Sequence, residues 1–362
     1  MKKLFAIVTL LAMVLGAHAE ATIGYLMTMD NKEAFPAEAF EGVDEKPEYN
    51  AAAWFETTYV NNGTGRFVSL NEAATADLSA LKVIWVNVDR VGLENIGAAG
   101  VDANVVAGLK KFVENGGNLF VTKQANQVIF QMGRMGYAPG WAAGGYQKGG
   151  DNWVINSLIL GNLGADNRID QSAHPIYKDV NFEEHEVDGY KYKKYLMVGA
   201  VSRTDNNNMW IDMFRKDPTT GGQMADLAGT THYNNGDPLR LTDFQQDWNC
   251  EVLGVWGHVM DACAPGLIVF NPEGNFKGQI ISCGFAAYQW GTSNNYLDNV
   301  KKLTANALDI LNVVEDGPST SVENVQSSSI VKGVYNLLGQ KVARENMVRG
   351  TIYIVDGKKI IY

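Results

Sequence analysis

Short apolar runs alternate with amphipathic ones along most of this chain. Ile23-Gly24-Tyr25-Leu26-Met27 reads as a strand, residues 50–59 as a helix, residues 66–70 as a second strand, and residues 81–88 (LKVIWVNV) as a third, apolar enough to be central. In residues 101–115, Val105, Val106, Leu109, Phe112 and Val113 stand near helical spacing; Gly116-Gly117 then ends that helix, because glycine accepts a left-handed cap, and residues 118–122 form the next strand. A strand over residues 277–284 and a helix over residues 293–312, with Leu297, Val300, Leu303, Ala307, Leu308 and Leu311 on one stripe, complete the pattern. Such alternation predicts an α/β fold, a mainly parallel sheet with helices on both faces. Between these parts, residues 127–276 are rich in Gly, Asn and aromatics. They read as a large insertion of loops and β-hairpins, and insertions of that size usually shape a site.

The two ends have different compositions. Lys2 and Lys3 precede the apolar run 4–15, and Gly16-Ala17-His18-Ala19 supplies a small-x-small cleavage pattern, so residues 1–19 read as a signal peptide. The run is too short to span a bilayer, which takes about 20 residues, and no later segment reads as transmembrane. With no cysteine near the cleavage point, the expectation is an exported chain without an N-terminal lipid. Residues 20–314 then form the main α/β domain, and residues 315–329 (EDGPSTSVENVQSSS) have the composition of a linker. Residues 330–362 read as a small all-β domain of three short strands, over residues 334–342, 350–355 and 357–361. A piece that small buries little core alone, so it packs on the main domain or serves a reader protein.

Composition narrows the function classes. With 46% hydrophobic and 19% charged residues in 362, the chain is globular, which excludes disorder, collagen and coiled coil. Thirty Lys+Arg against 40 Asp+Glu give a net charge of −10, and loss of Lys2 and Lys3 with the leader deepens it, so nucleic acid is excluded as a partner. Cys250, Cys263 and Cys283 are too few for a disulfide scaffold. Cys250 and Cys263 can pair in an oxidising compartment, and three free or buried thiols are the equal alternative.

The tail segments VYNLLGQKV, GTIYIV and GKKII resemble the C-terminal sorting domain of the type IX secretion system of Bacteroidetes. The resemblance implies the type IX machinery as a partner and passage through the outer membrane to a secreted or cell-surface location. The segments LKKFVENGGNLFVT, HPIY (residues 174–177), GQIISCGFAAYQW and NNYLDNVKKLTANALDIL resemble the flavodoxin-like class I glutamine amidotransferase superfamily, in particular its ThuA-like branch. More narrowly, the stretch resembles an uncharacterised domain family of Bacteroides-type bacteria associated with glycan-utilisation loci, which implies a glycan as ligand.

A class I amidotransferase needs a cysteine on the sharp turn after a central strand. Here that turn is Thr122-Lys123-Gln124-Ala125-Asn126, with neither Cys nor Ser, so glutaminase chemistry is not expected and His258 with Asp261 has no nucleophile to serve. His174, His185, His232 and His258 are scattered, and neither HExxH nor CxxC spacing occurs. Asp205-Asn206-Asn207-Asn208 lacks the Gly and Glu of a calcium loop, and Glu183-Glu184-His185-Glu186 reads as a solvated segment. No catalytic residue, metal or cofactor is assigned.

In an open α/β sheet, ligands lie outside the carboxyl ends of the strands. The tips there carry Asp30, Asp89, Arg90, Gln124, Tyr288 and Trp290, and Trp141 and Trp153 lie in or beside a glycine-rich stretch. Trp256 and His258 share a strand face, while Trp54 and Trp85 read as core. Flat aromatics beside carboxylates, amides and a guanidinium are the chemistry that recognises sugars, so these ten residues from Asp30 to Trp290 are the candidate ligand set. The same tryptophans also suit a core, and Asp89-Arg90 also suits a local ion pair or loop anchor. Three functions follow: a non-catalytic carbohydrate-binding protein, a carbohydrate-active hydrolase with unassigned acids, or a structural, adhesive surface protein.

Overall fold

A computed structural model describes residues 21–40, 43–90, 93, 95–135, 153–156, 158–159, 169–187, 189–198, 244–256, 265–284, 289–312, 334–335, 341–343, 352–355 and 358–361. The chain divides into two compact units, Met1–Val313 and Val314–Tyr362.

The first unit holds a ten-stranded sheet. Its strands are β1 (Ile23–Met27), β2 (Gly65–Ser69), β3 (Val83–Val88), β4 (Asn118–Lys123), β5 (Trp153–Asn156), β6 (Phe182–Val187), β7 (Tyr190–Val198), β8 (Cys250–Trp256), β9 (Pro265–Phe270) and β10 (Ile280–Cys283). They lie in the order β6-β7-β5-β8-β9-β10-β4-β3-β1-β2. The run β10-β4-β3-β1-β2 is parallel throughout, with Ile23 opposite Gly65 on one side and Val83 on the other. Taken in chain order, those five strands have the 2-1-3-4-5 sequence of the flavodoxin fold. The other half is antiparallel and comes from the insertion, so that segment is more than hairpins hung on a domain: it doubles the width of the sheet.

Helices cover both faces. α1 (Pro47–Phe55) and α5 (Leu297–Asn312) pack on one face, and α2 (Leu70–Thr75), α3 (Ala103–Glu114) and α4 (Gln127–Gln131) on the other. β3 shows why. Val83 and Trp85 belong to the core under α1 and α5, while Ile84, Val86 and Val88 belong to the opposite core, the period-two alternation of a strand buried on both faces. Asp102 caps α3 by accepting from the N–H groups of Asn104 and Val105, and Gly116 (φ +96°) ends it as the sequence predicts. Gly108 lets α2 approach closely, because a Cβ there would lie 1.8 Å from the Ala73 carbonyl oxygen.

Two expected boundaries move. α1 begins at Pro47, which suits a first helical position, and passes into a π-turn over Glu56–Val60. α5 begins at Leu297 rather than at residue 293. Glu183 to Glu186 lie in an edge strand: Glu183, Glu184 and Glu186 stand opposite Lys194, Lys193 and Lys191, so cross-strand charge pairing places them in β6. Cys250 is a buried free thiol whose Sγ lies 3.9 Å from the Phe244 carbonyl oxygen, Cys283 is buried in β10, and Cys263 lies outside the described residues.

The second unit is a four-stranded antiparallel sheet. Its strands β11 (Val334–Tyr335), β12 (Lys341–Val342), β13 (Ile352–Val355) and β14 (Lys358–Ile361) lie in the order β12-β11-β13-β14. The run expected as one strand over residues 334–342 therefore contributes two. The leader and linker readings lie outside the described residues. No helix among the described residues is long and apolar enough to cross a membrane.

Candidate functional site

The strand order reverses between β1 and β3, and in open α/β sheets ligands bind outside the carboxyl ends of the strands at such a switch point. β1 delivers Thr28, Met29 and Asp30, β3 delivers Asp89 and Arg90, and β4 delivers Lys123 and Gln124. α1 aims its first turn at the same place, where the positive end of the helix dipole favours Glu48.

Arg90 organises the cluster. Its Nε donates to Glu48 Oε2 at 2.7 Å and its Nη2 to Thr28 Oγ1 at 2.8 Å. Gln124 clips its backbone, donating from Nε2 to the Arg90 carbonyl at 2.7 Å while Oε1 accepts from the Arg90 N–H at 3.4 Å. Glu48 Oε1 accepts from the Asp89 N–H at 3.3 Å. Burial pushes the Glu48 carboxyl up to about 7, and the charge of Asp89 adds to this, while Arg90 opposes it by charge and hydrogen bond. This carboxyl therefore exchanges its proton near neutral pH.

Lys123 ends β4 and opens the turn that follows it. Its backbone has φ 57° and ψ −129°, a conformation that costs a non-glycine residue about 1–3 kcal/mol. Its buried ammonium lies 3.8 Å from Asp89 Oδ1. Asp89 and Arg90 thus do not pair with one another: Asp89 faces Lys123 and Arg90 faces Glu48.

A buried polar ladder separates the cluster from the core beneath. Trp85 Nε1 donates to Thr122 Oγ1 at 3.1 Å, Thr122 Oγ1 donates to Asn87 Oδ1 at 2.7 Å, and Asn87 Nδ2 reaches the Tyr25 hydroxyl at 3.4 Å. Burial, with Glu48 adding to it, keeps the Tyr25 phenol neutral. Under the ladder, Trp85 packs against Tyr25, Phe120 and Trp290 at ring separations of 5.0, 6.0 and 5.5 Å.

The expected ligand set therefore divides. Asp89, Arg90 and Gln124 meet in the cluster, but Asp89 and Gln124 are 1% and 0% exposed and serve to hold Lys123 and the Arg90 backbone; of the expected set only Arg90, partly, and Asp30, at the tip of β1, face outward. Trp290 is 1% exposed and packs on Trp54 as well as Trp85, so its ring belongs to the core and offers no platform to a sugar. Trp153 and Trp256 fall in β5 and β8 with their side chains outside the described residues, and Trp141, His258, Tyr288, Asp261, His232 and Asp205 to Asn208 lie outside them altogether. His174 caps a short turn, its Nδ1 accepting from the Ile176 N–H at 3.2 Å, and burial lowers its pKa against the pull of Glu251. Among the described residues no cluster of His, Cys, Asp and Glu is arranged to hold a metal ion.

Sequence reasoning missed Glu48, Thr28 and the role of Lys123. The signal for Glu48 was Pro47, which starts a helix and so puts the next residue in its first turn.

No protein-family model and no curated protein matches the sequence. Solved structures resemble it at low identity. A cytoplasmic protein from Salmonella typhimurium aligns at 12% identity and a TM-score of 0.32, over 80% of this chain and 98% of that one. A putative ThuA-like protein from Bacteroides uniformis aligns at 11% identity and a TM-score of 0.38, over 81% and 91%. A β-galactosidase from Bacillus circulans sp. alkalophilus aligns at 13% identity and a TM-score of 0.36, over 82% of this chain but only 32% of that enzyme.

Proposed function

We propose that this protein is a secreted, non-catalytic carbohydrate-binding protein whose ligand sits at the carboxyl ends of β1, β3 and β4. One observation carries the reading: the elbow after β4 holds a buried Lys123 ammonium, 3.8 Å from Asp89, in place of a thiol or hydroxyl. Acyl transfer through a Cys or Ser at that turn has no nucleophile, whereas the partly exposed Arg90 guanidinium and the exposed Asp30 carboxylate at a switch point suit the hydroxyls of a sugar. The resemblance of the tail to a type IX sorting domain supports export to the cell surface, with the sorting machinery as second partner and polysaccharide capture as the task.

The test is retention of the full chain on affinity gels of fructans, glucans, mannans and host glycans, with Asp30→Ala alongside. Selective retention that weakens in the variant supports the reading; no retention on any gel overturns it and favours a structural, adhesive role. A hydrolase is the second reading, because Glu48 titrates near neutral pH as a general acid must. Time-resolved product analysis on every retained glycan decides between them, and release of shorter sugars that stops in Glu48→Gln would make the protein an enzyme.

A further inference from the structure

Resting on that reading, we infer that the site selects acidic sugars, with Arg90 gripping the carboxylate of a uronic or sialic acid unit end-on. Arg90 is oriented before any ligand arrives: Glu48 holds Nε at 2.7 Å, Thr28 holds Nη2 at 2.8 Å, and Gln124 fixes the backbone on both its N–H and its carbonyl. Two of the three guanidinium nitrogens are thus committed to protein partners. Nη1 makes no hydrogen bond among the described residues, and the side chain keeps 12% exposure. The end of the fork, Nη1 with the second hydrogen of Nη2, is therefore the part left to grip a ligand. Two parallel N–H donors match the two oxygens of a planar carboxylate.

The charges around it favour a singly charged anion. Asp89 is matched by Lys123 at 3.8 Å, and Glu48 lies close enough to protonation at neutral pH that it does not wholly cancel Arg90. A lone carboxylate and a carboxylate on a pyranose share the chemistry Arg90 reads. The exposed Asp30 at the tip of β1 adds a hydroxyl acceptor that only a sugar would use.

The experiment measures binding of the full chain to polygalacturonate, to the same polymer fully methyl-esterified, and to a sulfated galactan, with acetate and galacturonic acid as competitors. The free acid is expected to bind about tenfold or more tightly than the ester, the loss of one charge-assisted pair. Arg90→Lys, which keeps the charge but loses the fork, should lose about tenfold for the free acid and little for the ester. Thr28→Val removes only the hydroxyl that orients Nη2 and keeps Glu48 paired, so it tests the same point if Arg90→Lys fails to fold. It should weaken acid binding about threefold, the scale of a fraction of one hydrogen bond. Equal binding of acid and ester overturns the inference and leaves the carbohydrate reading standing, whereas retention of no glycan, acidic or neutral, overturns that reading itself. Competition by acetate as strong as that by galacturonic acid overturns the sugar part, and sulfated galactan binding as well as polygalacturonate overturns the carboxylate part. Unchanged acid binding in both variants removes Arg90 from the site.

Discussion

Glu45 and Glu48 stand three residues apart, both 2% exposed, and anchor regions of opposite character. Glu45 ends the small hairpin formed by Glu38–Phe40 and Val43–Glu45, and its carboxylate accepts from the N–H groups of Thr292 and Ser293 at 2.8 Å each and from the Thr292 hydroxyl. Burial alone would raise its pKa, but these N–H and hydroxyl donors outweigh burial and hold the carboxyl below its usual range. Glu48 has one guanidinium and one N–H, and burial wins. The difference separates a carboxylate that stays charged to hold a loop from one poised to give up its charge beside Arg90. Burial alone therefore does not mark a functional acid; the number and kind of donors facing it decide.

The largest test strikes the loop that Glu45 holds. Trp290 lies in that loop; the Asn50 side chain donates to its carbonyl at 2.9 Å, and its ring fills the core beside Trp54 and Trp85. Trp290→Ala should cost about 3–5 kcal/mol of stability, read by denaturant unfolding, because it empties a fully buried site. Under conditions where the variant remains folded, its affinity for any retained glycan should be unchanged. A selective loss of binding with little loss of stability would return Trp290 to the ligand site and blur the contrast between the two regions.

Glu48→Gln comes next and is read as a pH dependence. The folded carboxyl titrates near 7 against an ordinary 4.5, so the folded state holds a proton that the unfolded state has released between those values. The resulting stability is fully present below about 4.5 and is lost as pH rises through about 7. The glutamine variant has no such proton. Its stability relative to wild type should therefore improve by about 3 kcal/mol between pH 4.5 and pH 8. A constant difference across that range would mean that Arg90 holds Glu48 fully ionised.

These two residues also show what the sequence displays and what it hides. The strands β1 and β3 were legible because strands buried on both faces read as unbroken apolar runs, and α3 because its stripe, its Asp102 start and its Gly116 end agree. α5 starts four residues late because Glu45 takes the Thr292 and Ser293 N–H groups while the Asn294 side chain bonds the Met197 and Gln289 carbonyls, holding residues 291–296 as turns. Glu45 and Met197 are remote in sequence, and no local pattern signals them. For the same reason, the joining of β5 to β9 onto β10 was hidden, and β6 was masked by its own charges. In the site, Asp89, Arg90 and Gln124 follow from strand ends alone. The positive φ of Lys123 does not, because a lysine carries no mark of a strained backbone.

Glu45→Gln is the counterpart on the structural side. It replaces one acceptor oxygen with an amide that faces N–H donors, and should cost about 2 kcal/mol at neutral pH. The sign with pH is opposite to that of Glu48. A depressed carboxyl contributes stability above its unfolded value of 4.5 and loses it as pH falls through its folded value, so variant and wild type should converge in acid. Chemical denaturation of both proteins between pH 3 and 7, about the range over which an ordinary carboxyl titrates, checks this. Divergence toward acid would show that Glu45 is also held near protonation and that the two regions are not different in kind.

The smallest effects come from a matched pair of hydroxyls, one in each region. Thr292 Oγ1 donates to Glu45 at 3.0–3.1 Å, and Thr28 Oγ1 accepts from Arg90 Nη2 at 2.8 Å. Valine keeps the shape and removes the oxygen in both cases, so each substitution should cost about 1 kcal/mol or less. Their consequences should differ. Thr292→Val removes one of the donors that keep Glu45 charged, so part of its small cost should vanish in acid, with ligand binding untouched. Thr28→Val leaves Glu48 paired with Nε but lets the end of the Arg90 fork turn, so its effect should appear in ligand affinity more than in the unfolding midpoint. If both substitutions shift only stability, and by the same amount at every pH, the Arg90 cluster is as purely structural as the loop. If only Thr28→Val changes binding, the division between a carboxylate that holds and a cluster that recognises rests on a single pair of hydroxyl groups.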